Sequence, residues 1–137
     1  MRLLATTLLL GALLAPAGAD EAAAKKAAPR TIDLAICLDT SNSMDGLIDA
    51  ARRKIWAIVN DLALAKPTPR LRVAVLAYGN DNYDKGAGWV QVQATFTEDL
   101  DHVSKTLFGL TTRGGTEYVG RVLQSALSCL GRRTRAP

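Results

Sequence analysis

The 137-residue chain has two cysteines, one histidine and few aromatic residues, 5% of the total. Most of these scarcities remove a class of function. Cys37 and Cys129 are too few for a disulfide scaffold, and no metal-type spacing joins them. His102, the single histidine, lies on a polar helix face beside Asp101; no Ser-His-Asp or Cys-His set is proposed around it, although one histidine does not by itself exclude such a set. The apolar run needed to span a bilayer, about 20 residues, is missing. Excess positive charge is also scarce. The formal net charge is +4, but Arg2, Arg132, Arg133 and Arg135 account for it, which leaves residues 20–131 neutral. A nucleic-acid domain carries a basic stripe interleaved with aromatic platforms, and neither is present. Within the body only Arg52-Arg53-Lys54 is a basic run, and it reads as a solvated helix face. What remains is 48% apolar and 22% charged, the composition of one globular domain.

Residues 1–19 read as a secretory signal peptide. Met1-Arg2 supplies the positive start, Leu3 to Leu14 the apolar stretch, and Ala17-Gly18-Ala19 a small-x-small cleavage site before Asp20. A secreted or periplasmic protein is expected, without a transmembrane segment after cleavage. Residues 20–31 form a polar linker. Its Glu21 and Lys25 can pair at i,i+4 in one turn of helix, and Pro29 stops that turn. A domain over 32–131 and a basic tail over 132–137 complete the division.

The body alternates strand and helix signals. Ile32 to Asp39 is an apolar run ending in an acid, which suits a buried parallel strand. Leu47, Ala51, Ile55, Ile58, Val59 and Leu62 then fall on one helical stripe. Leu71 to Tyr78 is a second apolar strand, followed by the turn signal Gly79-Asn80-Asp81-Asn82. From Trp89 to Phe96 the pattern alternates. Val90, Val92, Ala94 and Phe96 are expected on one face of an edge strand, with Gln91, Gln93 and Thr95 on the other. Leu100, Val103 and Leu107 mark a short helix behind a Thr97 or Asp99 cap. Tyr118, Val119, Val122, Leu123, Ala126, Leu127 and Leu130 mark another, ended by Gly131. Strand–helix–strand implies a parallel sheet with a right-handed crossover. A helix closing such a unit leads into a further strand, and only Arg132 to Pro137 follows, so later strands are expected to be missing.

The chemistry concentrates at Asp39-Thr40-Ser41-Asn42-Ser43. An acid leaves the carboxyl end of a buried strand, with hydroxyls two and four residues on. In open α/β sheets this crest is where ligands bind. A carboxylate and hydroxyls are hard oxygen ligands suited to Mg²⁺. Gly46 permits the loop to fold back.

These residues resemble the von Willebrand factor type A domain, whose metal-ion-dependent adhesion site begins with Asp-x-Ser-x-Ser after the first strand. Here those positions are Asp39, Ser41 and Ser43. The family's second element, a threonine often found in Gly-Gly-Thr, matches Gly114-Gly115-Thr116. Its third, an aspartate after the fourth strand, has no counterpart. The resemblance runs from Ile32 to Leu130 and is nearest to exported bacterial members. It implies an α/β, Rossmann-like vWA fold, with an open, mostly parallel sheet and an antiparallel edge strand. It also implies a binding module and not an enzyme. Asp39, Ser41, Ser43 and Thr116 would hold Mg²⁺ (or Mn²⁺ or Ca²⁺), weakly or not at all in a truncated chain, and a partner protein would offer an acidic side chain.

Several alternatives bear on the same residues. Ser43 or Asp45 could cap the helix near Leu47, and Thr116 could cap the one at Glu117. A metal-independent interaction or structural module, or a nonfunctional fragment, is the alternative function. An aspartic protease also carries Asp-Thr or Asp-Ser, but its fold is nearly all β. A haloacid-dehalogenase-like phosphatase needs a second acid where Ser41 stands. Asn80, Asp81, Asn82 and Asp84 suggest a Ca²⁺ loop, but an EF-hand-type loop needs Gly and Glu where Lys85 and Gln91 stand, so a solvated turn is expected. Cys37 and Cys129 are expected as two buried thiols, although export permits a disulfide. Trp56, Trp89 and Phe108 are expected to pack in the core or at its edge.

Overall fold

Strand β1 (Thr31–Asp39) pairs in parallel with β2 (Arg70–Tyr78), in register from Thr31–Arg70 to Asp39–Tyr78. Strand β3 (Val90–Thr97) runs antiparallel to β2, giving the order β1-β2-β3. The computed structural model describes residues 30–131. The expected leader, the linker up to residue 29 and the basic tail lie outside the described residues. Thr31, placed in the linker by sequence, opens β1.

The middle position of β2 explains its composition. Val73, Ala74, Val75, Leu76 and Ala77 are all fully buried, because helices cover both faces of the sheet. On one face lie α1 (Ile48–Ala63) and α2 (Leu100–Gly109). There Val59, Val103 and Leu107 pack with Ile36, Leu38, Val73, Val75 and Ala77. On the other face lies α3 (Val119–Gly131), whose Val122 and Ala126 pack with Ala74, Leu76 and Val90. Asp99 caps α2, its Oδ1 accepting from the His102 N–H at 3.0 Å. At the end of β1 and β2 remote from Asp39, Arg72 donates twice to Asp33 at 2.8 Å. This bonding holds the guanidinium above its usual pKa range, against a smaller effect of burial.

Three expectations are corrected. The first concerns β3. Its register against β2 shifts twice, between Val73 and Val75 and between Val75 and Leu76. Each one-residue irregularity moves the following side chains to the opposite face. Val90 and Phe96 therefore pack on the α3 side, while Ala94 joins the α1/α2 core. The second concerns Arg52, which is buried rather than solvated. It donates to the Phe108 carbonyl at 3.1 Å and to the Leu110 carbonyl, with Asp49 at 3.2 Å. A guanidinium beside the last carbonyls of α2 satisfies acceptors the helix leaves open and opposes its dipole. The third concerns the α1 stripe, where Leu47 and Ile58 are exposed.

Cys37 is half-buried, Cys129 is buried, and no disulfide joins them. Burial, and then Cys129, pushes the Cys37 thiol pKa up. Among the described residues no helix is long and apolar enough to cross a membrane.

Candidate metal centre

The parallel pair delivers Asp39 and Tyr78 side by side to the carboxyl end of the sheet. Thr40 is fully buried and fastens this edge, donating to the Tyr78 carbonyl through its N–H at 2.8 Å and through Oγ1 at 2.9 Å. The chain then turns back. The Ser41 N–H donates to Asp39 Oδ1 at 2.8 Å, and Ser41 Oγ meets Ser43 Oγ at 2.8 Å. Ser41 is fully buried. Asp39 and Ser43 are thus both bonded to Ser41, the carboxylate through the Ser41 N–H and the Ser43 hydroxyl through Ser41 Oγ.

The capping alternative finds no bond at Ser43 or Asp45. Helix α1 has Leu47 at its N-cap with no side-chain capping bond. The 3-10 turn Asn42–Met44 likewise takes no cap from Ser41. The Asp45 carboxylate instead accepts from Thr112 Oγ1.

The loop after α2 is docked on the same crest. The Arg113 N–H donates to the Thr40 carbonyl at 2.9 Å, and the Asn42 N–H to the Gly114 carbonyl at 2.7 Å. The Gly114 N–H returns a bond to Asn42 Oδ1 at 3.0 Å. Asn80, expected in a solvated turn, is buried, because its amide is shared between two segments. Nδ2 donates to the Thr111 carbonyl at 2.8 Å, and Oδ1 accepts from the Asn82 N–H at 3.0 Å. With Arg52 on Leu110, anchors from α1, from the turn after β2 and from the exit of β1 hold this loop. Thr116, two residues past Gly114, is half-buried. Among the described residues no hydrogen bond joins it to Asp39, Ser41 or Ser43.

Two glycines set the spacing. Gly114 has φ +81° and lies against the Asp81 carboxyl, where a Cβ would fall 2.1 Å from Cγ. Gly79 has φ +79°, and a Cβ there would lie 3.0 Å from Asp39 Oδ1, 3.1 Å from Glu117 Cγ and 3.3 Å from Ser41 Cβ. Three side chains therefore close over Gly79, one of them the unanticipated Glu117. Burial first, then Asp39, Glu117 and Cys37, raise the Tyr78 phenol pKa. Neither Glu117 nor Asp81 carries a sequence signal for this placement, since both reach the crest through glycines remote in the chain.

A parallel pair with an antiparallel neighbour and helices on both faces defines an open α/β sheet, the class in which ligands bind at the carboxyl ends of the strands. The sequence profile of the von Willebrand factor type A domain matches residues 34–137, and the chain belongs to that family. The fold is similar to that of an uncharacterized protein from Alicyclobacillus acidocaldarius, at 24% identity and TM-score 0.62 over 78% of this chain and 43% of that one. The SpRpn10 VWA domain matches at 20% identity and TM-score 0.60, over 77% and 53%. The pilus adhesin SpaC from Lactobacillus rhamnosus GG matches at 17% identity and TM-score 0.61, over 75% and 13%. The chain thus spans about half or less of each of these structures. No curated protein matches it.

The donor set suits a hard divalent cation. Among the described residues the Ser41 and Ser43 hydroxyls are not spent on helix caps, and one Asp39 carboxylate oxygen accepts a bond, from the Ser41 N–H. Among the described residues no group of three His, Cys, Asp or Glu side chains could hold a metal. The candidate here is one carboxylate with hydroxyls.

Proposed function

We propose that this chain is an exported protein-binding module that works through a divalent cation and not through catalysis. Asp39, Ser41, Ser43 and Thr116 are the residues that would hold Mg²⁺, with Mn²⁺ or Ca²⁺ as substitutes. When bound, the cation supplies an electrophile for an acidic side chain of a partner protein. The observation that carries the reading is the contact of Ser41 with both Asp39 and Ser43 at the sheet crest, with no cap bond consuming either hydroxyl. The pilus adhesin among the similar structures supports an interaction role. Export rests on the signal-like residues 1–19.

The chain's own residues do three things here. Thr40 and Asn42 hold the two loops together, Ser41 orients the Asp39 carboxylate through its N–H, and Asn80 fixes the stem of the threonine loop. One assigned carboxylate offsets little of the cost of dehydrating Mg²⁺, so affinity for the cation alone is low. A partner carboxylate adds charge, and cation and partner raise each other's affinity by the same factor.

The test is calorimetric titration of Mg²⁺ and Mn²⁺ into the full chain, with and without a hexaglutamate peptide. Binding is expected in the wild type and absent in Asp39→Ala, with Ser41→Ala weakened less because a hydroxyl is a neutral ligand. Equal heats for wild type and Asp39→Ala would overturn the reading in favour of a metal-independent module.

A further inference from the structure

Beside the crest lies a cleft of about 350 Å³, lined by Lys85, Trp89, Tyr118 and Arg121 with two glycines. Trp89, expected to pack in the core or at its edge, has another setting. Its ring stacks on Tyr118, centroids 5.6 Å apart at 28°, and Lys85 Nζ lies 5.8 Å from its centroid. Its φ is +50°, a strained conformation for a bulky residue, of the kind that gathers at binding sites. The strain is held by bonds on both sides, from the Trp89 N–H to the Asp84 carbonyl and from the Gly79 N–H to the Trp89 carbonyl.

The charge of the cleft is one-sided. Among the described residues no carboxylate lines it. The nearby Asp84 carboxylate is engaged by the N–H groups of Gly86 and Ala87. Among the described residues neither Lys85 nor Arg121 forms an ion pair, although the Arg121 stem packs on Gly88. Two exposed cations beside a stacked aromatic pair, Lys85 against the Trp89 ring, complement an anion with an apolar body. The cleft is also continuous with the crest. Trp89 is bonded to Gly79, over which Asp39 and Glu117 close, and Tyr118 follows Glu117.

We propose that this cleft is a second contact of the same docking surface, taking an acidic side chain of the partner segment. Lys85 and Arg121 receive its carboxylate, and Trp89 and Tyr118 receive its apolar stem. The placement beside the crest rests on the cation-dependent reading above, whereas the charge and shape of the cleft do not. The neutral body of the chain favours an acidic peptide over a nucleic acid, which requires a basic track along the backbone.

The experiment follows Trp89 fluorescence in the full chain carrying Trp56→Phe, so that Trp89 alone reports. Hexaglutamate, hexaglutamine, inorganic phosphate and a short single-stranded oligonucleotide are titrated with and without Mg²⁺. Hexaglutamate is expected to shift the emission and hexaglutamine not. The double variant Lys85→Ala/Arg121→Ala should bind about tenfold more weakly, as for two exposed charge contacts. Both residues are exposed, and a melting curve together with the single variant Lys85→Gln guards against a folding artefact. Hexaglutamate binding that needs Lys85 and Arg121 but ignores Mg²⁺ and Asp39→Ala keeps the cleft and removes the cation reading. Mg²⁺-dependent binding unchanged in the double variant keeps the cation reading and overturns the cleft. Equal binding of hexaglutamine, of phosphate or of the oligonucleotide also overturns it.

Discussion

The two faces of the sheet are closed to different degrees. On the α1/α2 face two helices cover the strands, and Val59, Val103 and Leu107 are fully buried. Among the described residues a single helix lies on the other face, and only one side of it is covered. Val122 and Ala126 point into the sheet, while Val119, Leu123 and Leu127 form an exposed stripe at successive four-residue steps. The composition of the helices does not create this difference, since α2 and α3 are both amphipathic. It follows from how many neighbours each face has. The closed face also braces the site, because Arg52 of α1 bonds the end of α2 and so fixes the stem of the threonine loop. The crest is thus supported from the side that two helices cover.

The largest expected effect breaks the closed face. Leu107→Ala deletes a fully buried side chain among Leu110, Val103 and Val59. It should cost about 2–5 kcal/mol, the range for buried leucines whose surroundings relax incompletely. Urea denaturation of the full chain measures it, as a lower midpoint at unchanged slope. A cost below about 1 kcal/mol would mean that this face is loosely packed, and the contrast between faces would disappear.

A smaller effect is expected at the crest, where the faces meet. Gly79→Ala forces a Cβ onto φ +79°, which costs about 1–2 kcal/mol for an L-residue. The new methyl would also stand 3.0 Å from Asp39 Oδ1. The variant should therefore lose cation binding out of proportion to its stability loss. Calorimetry and a urea titration on the same preparation separate the two. Unchanged Mg²⁺ heats with lowered stability would show that Asp39 moves aside at no cost to the site.

Periodicity makes the strands and helices legible, because it depends on residues near in sequence, whereas Asp39, Ser41 and Ser43 are singled out by their place after a buried strand and by the family resemblance. The same signal failed where partners are distant. Arg52 reads as a solvated charge until α2 brings the Phe108 and Leu110 carbonyls to it. Asn80 reads as a turn residue until the threonine loop arrives to accept its amide. In β3 the alternation was real, but two irregularities in pairing redirect it, and nothing local marks them. Glu117 joins Asp39 only across Gly79, a meeting set by the fold rather than by any spacing.

The smallest expected effect tests the open face. Leu127 is 67% exposed, so little apolar area leaves water when it folds, and truncation creates no cavity. Leu127→Ala should change stability by no more than about 0.5 kcal/mol, as for ordinary surface positions. The chemistry of the substitution is the same as in Leu107→Ala, so only burial separates the two results. Urea denaturation at several protein concentrations provides the measurement. A cost for Leu127→Ala approaching that of Leu107→Ala, and growing with concentration, would mean that the Val119–Leu123–Leu127 stripe is covered by another copy in solution. The faces would then be equally closed, one within the chain and one between chains. A cost near zero at every concentration leaves the stripe in water and the closed face as the source of the stability that holds the crest.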